Sequence, residues 1–224
     1  TIYRKFSRQT LDIVDLCWSS DNRYVLTASL DHNVIMHDVH NPDVKRTFAH
    51  NEMVTCIAMN PTIPSMFVTG SFDKMVRVWD VNSENVQEWS VVKDLITAVT
   101  FSPDGELVLL GLYHGQVLIL ELRDKLKYKT TLDCKNRSGK YKNGRKVTSI
   151  DCIGSSEILV VTNDSRLRLF DIEDNVVRMK YKAKKFANEK FHIRGSVSWS
   201  LQHVICASED GIIYIWNKSN DYVP

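Results

Sequence analysis

The sequence predicts an all-β chain built from five copies of one four-stranded antiparallel unit. Three observations predict it. Five segments, TASLDHNVIMHD, TGSFDKMVRVWD, LGLYHGQVLILE, VVTNDSRLRLFD and CASEDGIIYIWN, share one grammar: a short apolar run, a polar turn, then an alternating strand. Their turn residues, Asp31, Asp73, His114, Asp164 and Asp210, recur at intervals of 42, 41, 50 and 46 residues. No segment carries a sustained 3.6-residue period, so almost no helix is expected.

Each element follows in order. Apolar runs at 14–18, 54–59, 96–101, 147–152 and 195–199 supply an inner strand a. The run before each turn is strand b. The alternating run after it, as in Val76 and Val78 against Arg77 and Trp79, reads as a half-buried strand c. Weaker strands at 44–48, 86–89, 127–132 and 177–181 follow as d. Asp, Asn and Gly in the turns tolerate the left-handed backbone that tight turns need. The repeats span about 11–48, 50–91, 93–133, 145–182 and 192–217 of a single domain over 1–224, and residues 1–6 read as an outer strand. A twisted four-stranded sheet has two faces to cover. Radial stacking of such sheets covers both, which is the design of a propeller blade.

Composition excludes several classes of protein. The 224 residues are 43% hydrophobic and 25% charged, which is globular, and the net charge of +2 is no polycation. The longest apolar stretches, 107–110 and 117–120, are too short to cross a bilayer. The segment TIYRKFSRQT lacks the apolar centre of a signal peptide. Five cysteines with no CxxC pair read as reduced, packed thiols of a cytosolic protein. The N-x-S sequons at Asn136, Asn163 and Asn217 then read as chance. Phosphate-loop, dinucleotide, zinc-protease and serine-elbow motifs are all missing, so no catalytic or cofactor-binding residue is expected. His37 and His40 have no ligand cluster at zinc spacing, so no metal is expected. The four turn aspartates repeat with the fold and read as turn caps.

The segment from Thr69 to Asp80, TGSFDKMVRVWD, resembles the WD-repeat signature, and His50 stands where the family has its Gly-His dipeptide, with Ala49 for the Gly. The resemblance implies a WD-repeat β-propeller whose His50, Thr69, Asp73 and Trp79 form a buried hydrogen-bonded tetrad. The other repeats depart from it, with His37, Leu120 and Phe170 in the Trp position and Cys206 for the Ser or Thr. The family's usual seven blades imply that five are a portion of a larger ring, with apolar blade faces left exposed. The other reading is a small ring that residues 1–6 close by completing the last blade. The connector LKYKTTLDCKNRSGKYKNGRKVTSI with VTNDSRLRLFD is similar to the vesicle-trafficking WD-repeat proteins related to rabphilin-type effectors of a recycling-endosome Rab GTPase. That implies a non-enzymatic scaffold in the cytoplasm, at the periphery of endomembranes, in a small-GTPase pathway.

Charge is strongly polarised. Residues 123–146 hold ten bases and two acids, net +8; residues 178–190 hold six bases and one acid, net +5. The remainder therefore carries −11. Equivalent connectors of successive blades share a face, so their fields should add. The residues before the turn acids include Leu30, Phe72 and Tyr113, large groups at tight exposed turns. Together these predict a partner surface with an apolar half (Leu30, Phe72, Tyr113) and a basic half (Lys135, Arg137, Lys140, Lys142, Lys184, Lys185), suited to an acidic protein segment with hydrophobic anchors. The alternative is a peripheral module that binds anionic lipid through its basic connectors. Sparse aromatics in these connectors argue against nucleic acid.

Overall fold

A computed structural model describes residues 4–219 apart from 42, 44, 137 and 138. Among the described residues the protein is all-β, with no helix and five antiparallel sheets. The first sheet runs β1 (Ile13–Trp18), β2 (Tyr24–Ser29), β3 (Asn33–Asp38) and β4 (Lys45–Ala49). The second runs β5 (Val54–Met59), β6 (Met66–Ser71), β7 (Met75–Asp80) and β8 (Val86–Val91). The third runs β9 (Ile96–Phe101), β10 (Leu107–Leu112), β11 (Gln116–Leu122) and β12 (Leu126–Asp133). The fourth runs β13 (Val147–Ile153), β14 (Glu157–Thr162), β15 (Arg166–Asp171) and β16 (Val176–Tyr181). The fifth has β17 (Gly195–Val197), β18 (His203–Ala207) and β19 (Ile213–Asn217). Within every sheet the strands pair in chain order. Two compact units divide the chain, one within 1–110 and 120–128, the other within 111–119 and 129–224.

In the first unit, Phe48, Phe67 and Trp79 centre the core that joins the first two sheets. Phe48 meets Phe67 edge-on at 4.8 Å and Trp79 at 5.5 Å. In the second unit, Phe186 meets Tyr214 and Trp216 edge-on, each at 5.3 Å, within the core of the fourth and fifth sheets. Side chains also tie inner strands across sheets. The Ile57 N–H donates to the Asp15 carboxylate at 3.0 Å, and the Val197 N–H donates to Asp151 at 2.9 Å. Burial holds the Asp151 carboxyl above its ordinary range, and the Val197 bond only partly offsets this.

Three sequence expectations change. The c strands of the first, second and fourth sheets are buried on both faces, with Arg77 buried beside Val76 and Arg168 1% exposed, whereas that of the fifth sheet leaves Ile213 and Ile215 exposed. Half-burial would need one solvated face, and neighbouring sheets remove it. The left-handed residue in each b–c turn is the one after the turn acid: His32, Lys74, Gly115, Ser165 and Gly211, with φ from 58° to 83°. Of the outer strand expected over 1–6, residues 1–3 lie outside the described residues and 4–6 form no strand. Phe6 instead stacks on His37 at 4.6 Å, and Thr10 N–H donates to Asp31 at 2.8 Å.

The expected tetrad holds three of its members. Trp79 Nε1–H donates to Thr69 Oγ1 at 3.0 Å, and Thr69 Oγ1 lies 2.8 Å from His50 Nε2. His50 Nδ1 faces the Phe48 carbonyl at 3.1 Å. The chain is consistent if Nδ1 carries the proton and Nε2 accepts from threonine. Asp73 does not join it. Its carboxylate takes both Arg77 guanidinium nitrogens, at 2.5 and 3.2 Å, and the Met75 N–H at 3.0 Å. The Phe48 carbonyl fills the place at Nδ1, and a buried arginine needs the anion more.

Trp79→Ala removes a side chain that is 2% exposed and should cost about 3–5 kcal/mol in urea unfolding; a loss under about 1 kcal/mol would contradict the packing. A pH dependence follows from His50. Burial, helped by the Arg77 cation, pushes its pKa down from 6.5 to about 4. The unfolded chain therefore binds the proton first as pH falls. Stability from His50 is complete above pH 6.5 and is lost progressively down to about pH 4, by roughly 3 kcal/mol. His50→Gln should flatten this part of the stability–pH curve; an unchanged slope would show that His50 is not buried neutral.

Candidate functional site

The turn acids are ionised acceptors inside their own hairpins. Asp31, Asp73 and Asp210 accept from the N–H two residues on, at 3.1, 3.0 and 3.1 Å. Each also reaches a further partner: Thr10 for Asp31, Arg77 for Asp73, and the Tyr214 hydroxyl, at 2.7 Å, for Asp210. Burial opposes the charge of Asp31 and Asp73, yet the hydrogen bonds hold both carboxyls below their usual range. Asp164 grips Arg168 with both oxygens, at 2.5 and 3.2 Å. Among the described residues no cluster of three His, Cys, Asp or Glu could hold a metal, and no helix is long and apolar enough to cross a membrane. Burial pushes the Cys134 thiol up to about 12 and Cys206 to about 11, which leaves both as inert thiols.

The second basic connector and the part of the first from Lys129 onward belong to the second unit, and the turns fix them. Asn136 opens the first connector and bonds Asp164 at 2.9 Å and Arg168 at 3.1 Å. Its far end lies against the turn of the third sheet. A Cβ on Gly144, at φ +82°, would stand 2.0 Å from the His114 carbonyl oxygen, so only glycine allows this approach. Between them, backbone turns close from Lys142 N–H to Gly139 O at 3.2 Å and from Gly144 N–H to Tyr141 O at 3.0 Å. The second connector is pinned by Phe186 in the core and by Glu209. That carboxylate accepts the N–H groups of Glu189, Lys190 and Phe191 at 2.8, 2.6 and 3.0 Å. Burial disfavours the Glu209 charge, but these three donors hold its pKa below the usual range.

Lys140 joins the connectors through an ion pair with Glu189 at 3.2 Å. The Tyr141 ring carries two cations, Lys140 Nζ at 4.7 Å and Arg145 Cζ at 5.1 Å from its centre. Beside this group lies a cavity of about 430 Å³ lined by Tyr113, Lys140, Arg145, Lys146, Asn163 and Lys190, among others.

The predicted site residues thus divide. Tyr113 is 48% exposed and shares the cavity with Lys140. Lys142, Lys184 and Lys185 are exposed on the two connectors, and Lys135 is half-buried. Arg137 lies outside the described residues. Phe72 is exposed but belongs to the first unit, as does Leu30, which is only half-buried because its turn folds back on Asp12. The sequence reading passed over Arg145, Lys146, Asn163 and Lys190. The signal for the first two was the pair Gly115 and Gly144, which mark where the connector meets the turn.

Comparison with known proteins agrees with this geometry. The family model described as "WD domain, G-beta repeat" matches residues 1–38, 42–80 and 188–217. WD repeat-containing protein 44 of Xenopus laevis is 33% identical over 221 residues, which is 97% of this chain and 24% of that protein. The 2-deoxy-glucose resistant protein 2 of Saccharomyces cerevisiae is 26% identical over 240 residues, 98% of this chain and 28% of that protein. Jouberin of Rattus norvegicus is 24% identical over 220 residues, 92% of this chain and 20% of that protein. The chain spans about a quarter of the length of these relatives. With the repeated hairpins and their turn acids, the matches place this chain among the WD-repeat proteins, its sheets being β-propeller blades.

Proposed function

We propose that the chain is a non-enzymatic protein-interaction platform in vesicle traffic, and that its partner surface is the pair of basic connectors with Tyr113 as an apolar anchor. The observation that carries this reading is the Lys140–Glu189 contact, which brings the two basic connectors together beside the exposed Tyr113 ring. Exposed Lys142, Lys184 and Lys185 add a field that steers an acidic segment, and the ring supplies a desolvated contact. Lys135 lies on the same connector and belongs to the proposed surface, while Leu30 and Phe72 are proposed as apolar contacts of the first unit. The likeness of the first connector to the vesicle-trafficking branch of the family supports the cellular setting and the small-GTPase pathway.

The exposed apolar groups of β1 (Ile13, Leu16, Trp18) and β19 (Ile213, Ile215) support further blades in the parent ring. The same basic connectors would draw an anionic membrane at roughly 1 kcal/mol per residue near its surface.

Charge reversal at Lys140 and Lys142 together, and separately Tyr113→Ala, should each weaken binding to partners purified with the parent protein by about tenfold or more, with unchanged unfolding midpoints. Partners held equally by both variants would remove the reading. Flotation with anionic vesicles at two salt concentrations separates the membrane alternative: lipid binding should collapse with salt, and an anchored protein contact should weaken less.

A further inference from the structure

The cavity between the two connectors holds more positive charge than the fold uses. Of its four lysine and arginine residues, Lys140 pairs with Glu189. Among the described residues Arg145, Lys146 and Lys190 line it without an ion pair, Arg145 resting on the Tyr141 ring. Asn163 is 4% exposed, and its Oδ1 is buried without a hydrogen-bond partner. A buried amide oxygen left unpaired costs about 1–3 kcal/mol, so Oδ1 takes its partner from what enters the cavity, a water or a bound group.

We propose that this cavity binds one phosphoryl group carried on a protein side chain, a phosphorylated serine or threonine of a partner segment. Three unpaired cations match the charge of −1.5 to −2 on such a group, and arginine adds a planar fork for its oxygens. The Glu189 carboxylate at the rim disfavours a second phosphate, which argues for a single phosphoryl group over a polyphosphorylated headgroup. The unpaired Asn163 Oδ1 is an acceptor, so it takes a backbone N–H of the bound segment while the cations take the phosphate oxygens. Tyr113 lies where the residue next to the phosphorylated one would rest. The volume of about 430 Å³ admits the group with its side chain. The site is held open by contacts already described: Gly144 on His114, Asn136 on Asp164, and Glu209 on the N–H groups of residues 189–191.

The proposal rests on the protein-binding reading only for the carrier of the phosphate, and the two can fail separately. The test titrates the full chain with a phosphoserine peptide of neutral flanks and with the same peptide carrying serine, by fluorescence anisotropy at fixed ionic strength. Saturable binding of the phosphopeptide alone is expected. Arg145→Ala and Lys190→Ala should each weaken it by about tenfold, as loss of a charge-assisted hydrogen bond implies. Lys125→Ala, an exposed lysine outside the cavity, should leave it unchanged. Gly144→Ala should abolish binding without removing a charge; the two surface alanine variants keep the test valid if that chain misfolds. Equal affinity for both peptides overturns the proposal. So does an equal loss in Lys125→Ala, or binding to phosphatidylcholine vesicles containing a phosphoinositide with none to the phosphopeptide. If the phosphopeptide fails while the Lys140 and Lys142 reversals still lose a protein partner, the surface stands and the pocket does not.

Discussion

The structure depends on hairpins whose two inner strands are covered on both faces. Once β6 and β7, or β14 and β15, lose contact with water, every polar group on them must find its partner inside. The second sheet meets this demand twice, through the run from Trp79 by Thr69 and His50 to the Phe48 carbonyl, and through Arg77 on Asp73. The fourth meets it with Arg168, which is 1% exposed and held by Asp164, Thr162 and Asn136. A pair of this kind adds little net stability against an apolar pair of the same shape. Losing one partner, however, costs about 3–5 kcal/mol, so it enforces the turn geometry more than it strengthens the core.

The turn acid links this interior to the surface. It sits four residues before the strand position it serves: Arg77 after Asp73, Arg168 after Asp164, Tyr214 after Asp210. The residue between acid and strand takes the left-handed conformation, freeing the acid to aim its carboxylate along the hairpin. In the fourth sheet the same carboxylate also holds Asn136, the first ordered polar residue of the basic connector. Burial of an arginine inside the sheet therefore fixes where a chain of lysines leaves it.

Much of this was legible in the sequence because repetition made it so. Spacing of the turn acids gave the strands and the sheets, and the apolar runs of b and c gave the core. The two-sided burial of Arg77 and Arg168 was not legible, since an arginine in an alternating strand reads as a solvated residue unless its anion is known to lie four positions back. Asp73 was assigned to His50 by resemblance alone. Nothing in the local sequence says that the Phe48 carbonyl reaches Nδ1 first. Nothing in the glycines of the connector says that Gly144 is where the chain packs against His114. Position 163 carries no local signal of burial, because it is the connector that covers it, with the Asn163 N–H donating to the Lys146 carbonyl at 3.0 Å.

The basic residues act in two electrostatic regimes. Lys142, Lys184 and Lys185 lie in solvent, where a screening length of about 8 Å at physiological salt limits each to steering and to weak contacts. Arg145, Lys146 and Lys190 line a concave space; Arg145 and Lys190 are exposed as well, but around the concavity their fields add. An anion entering that space exchanges bulk water for fixed donors already in place, so the ordering cost was met when the turns closed. The exposed lysines raise the rate at which any acidic partner arrives, and the cavity separates partners by the group they insert. Salt should therefore act mainly on arrival, and the shape of the bound anion on departure.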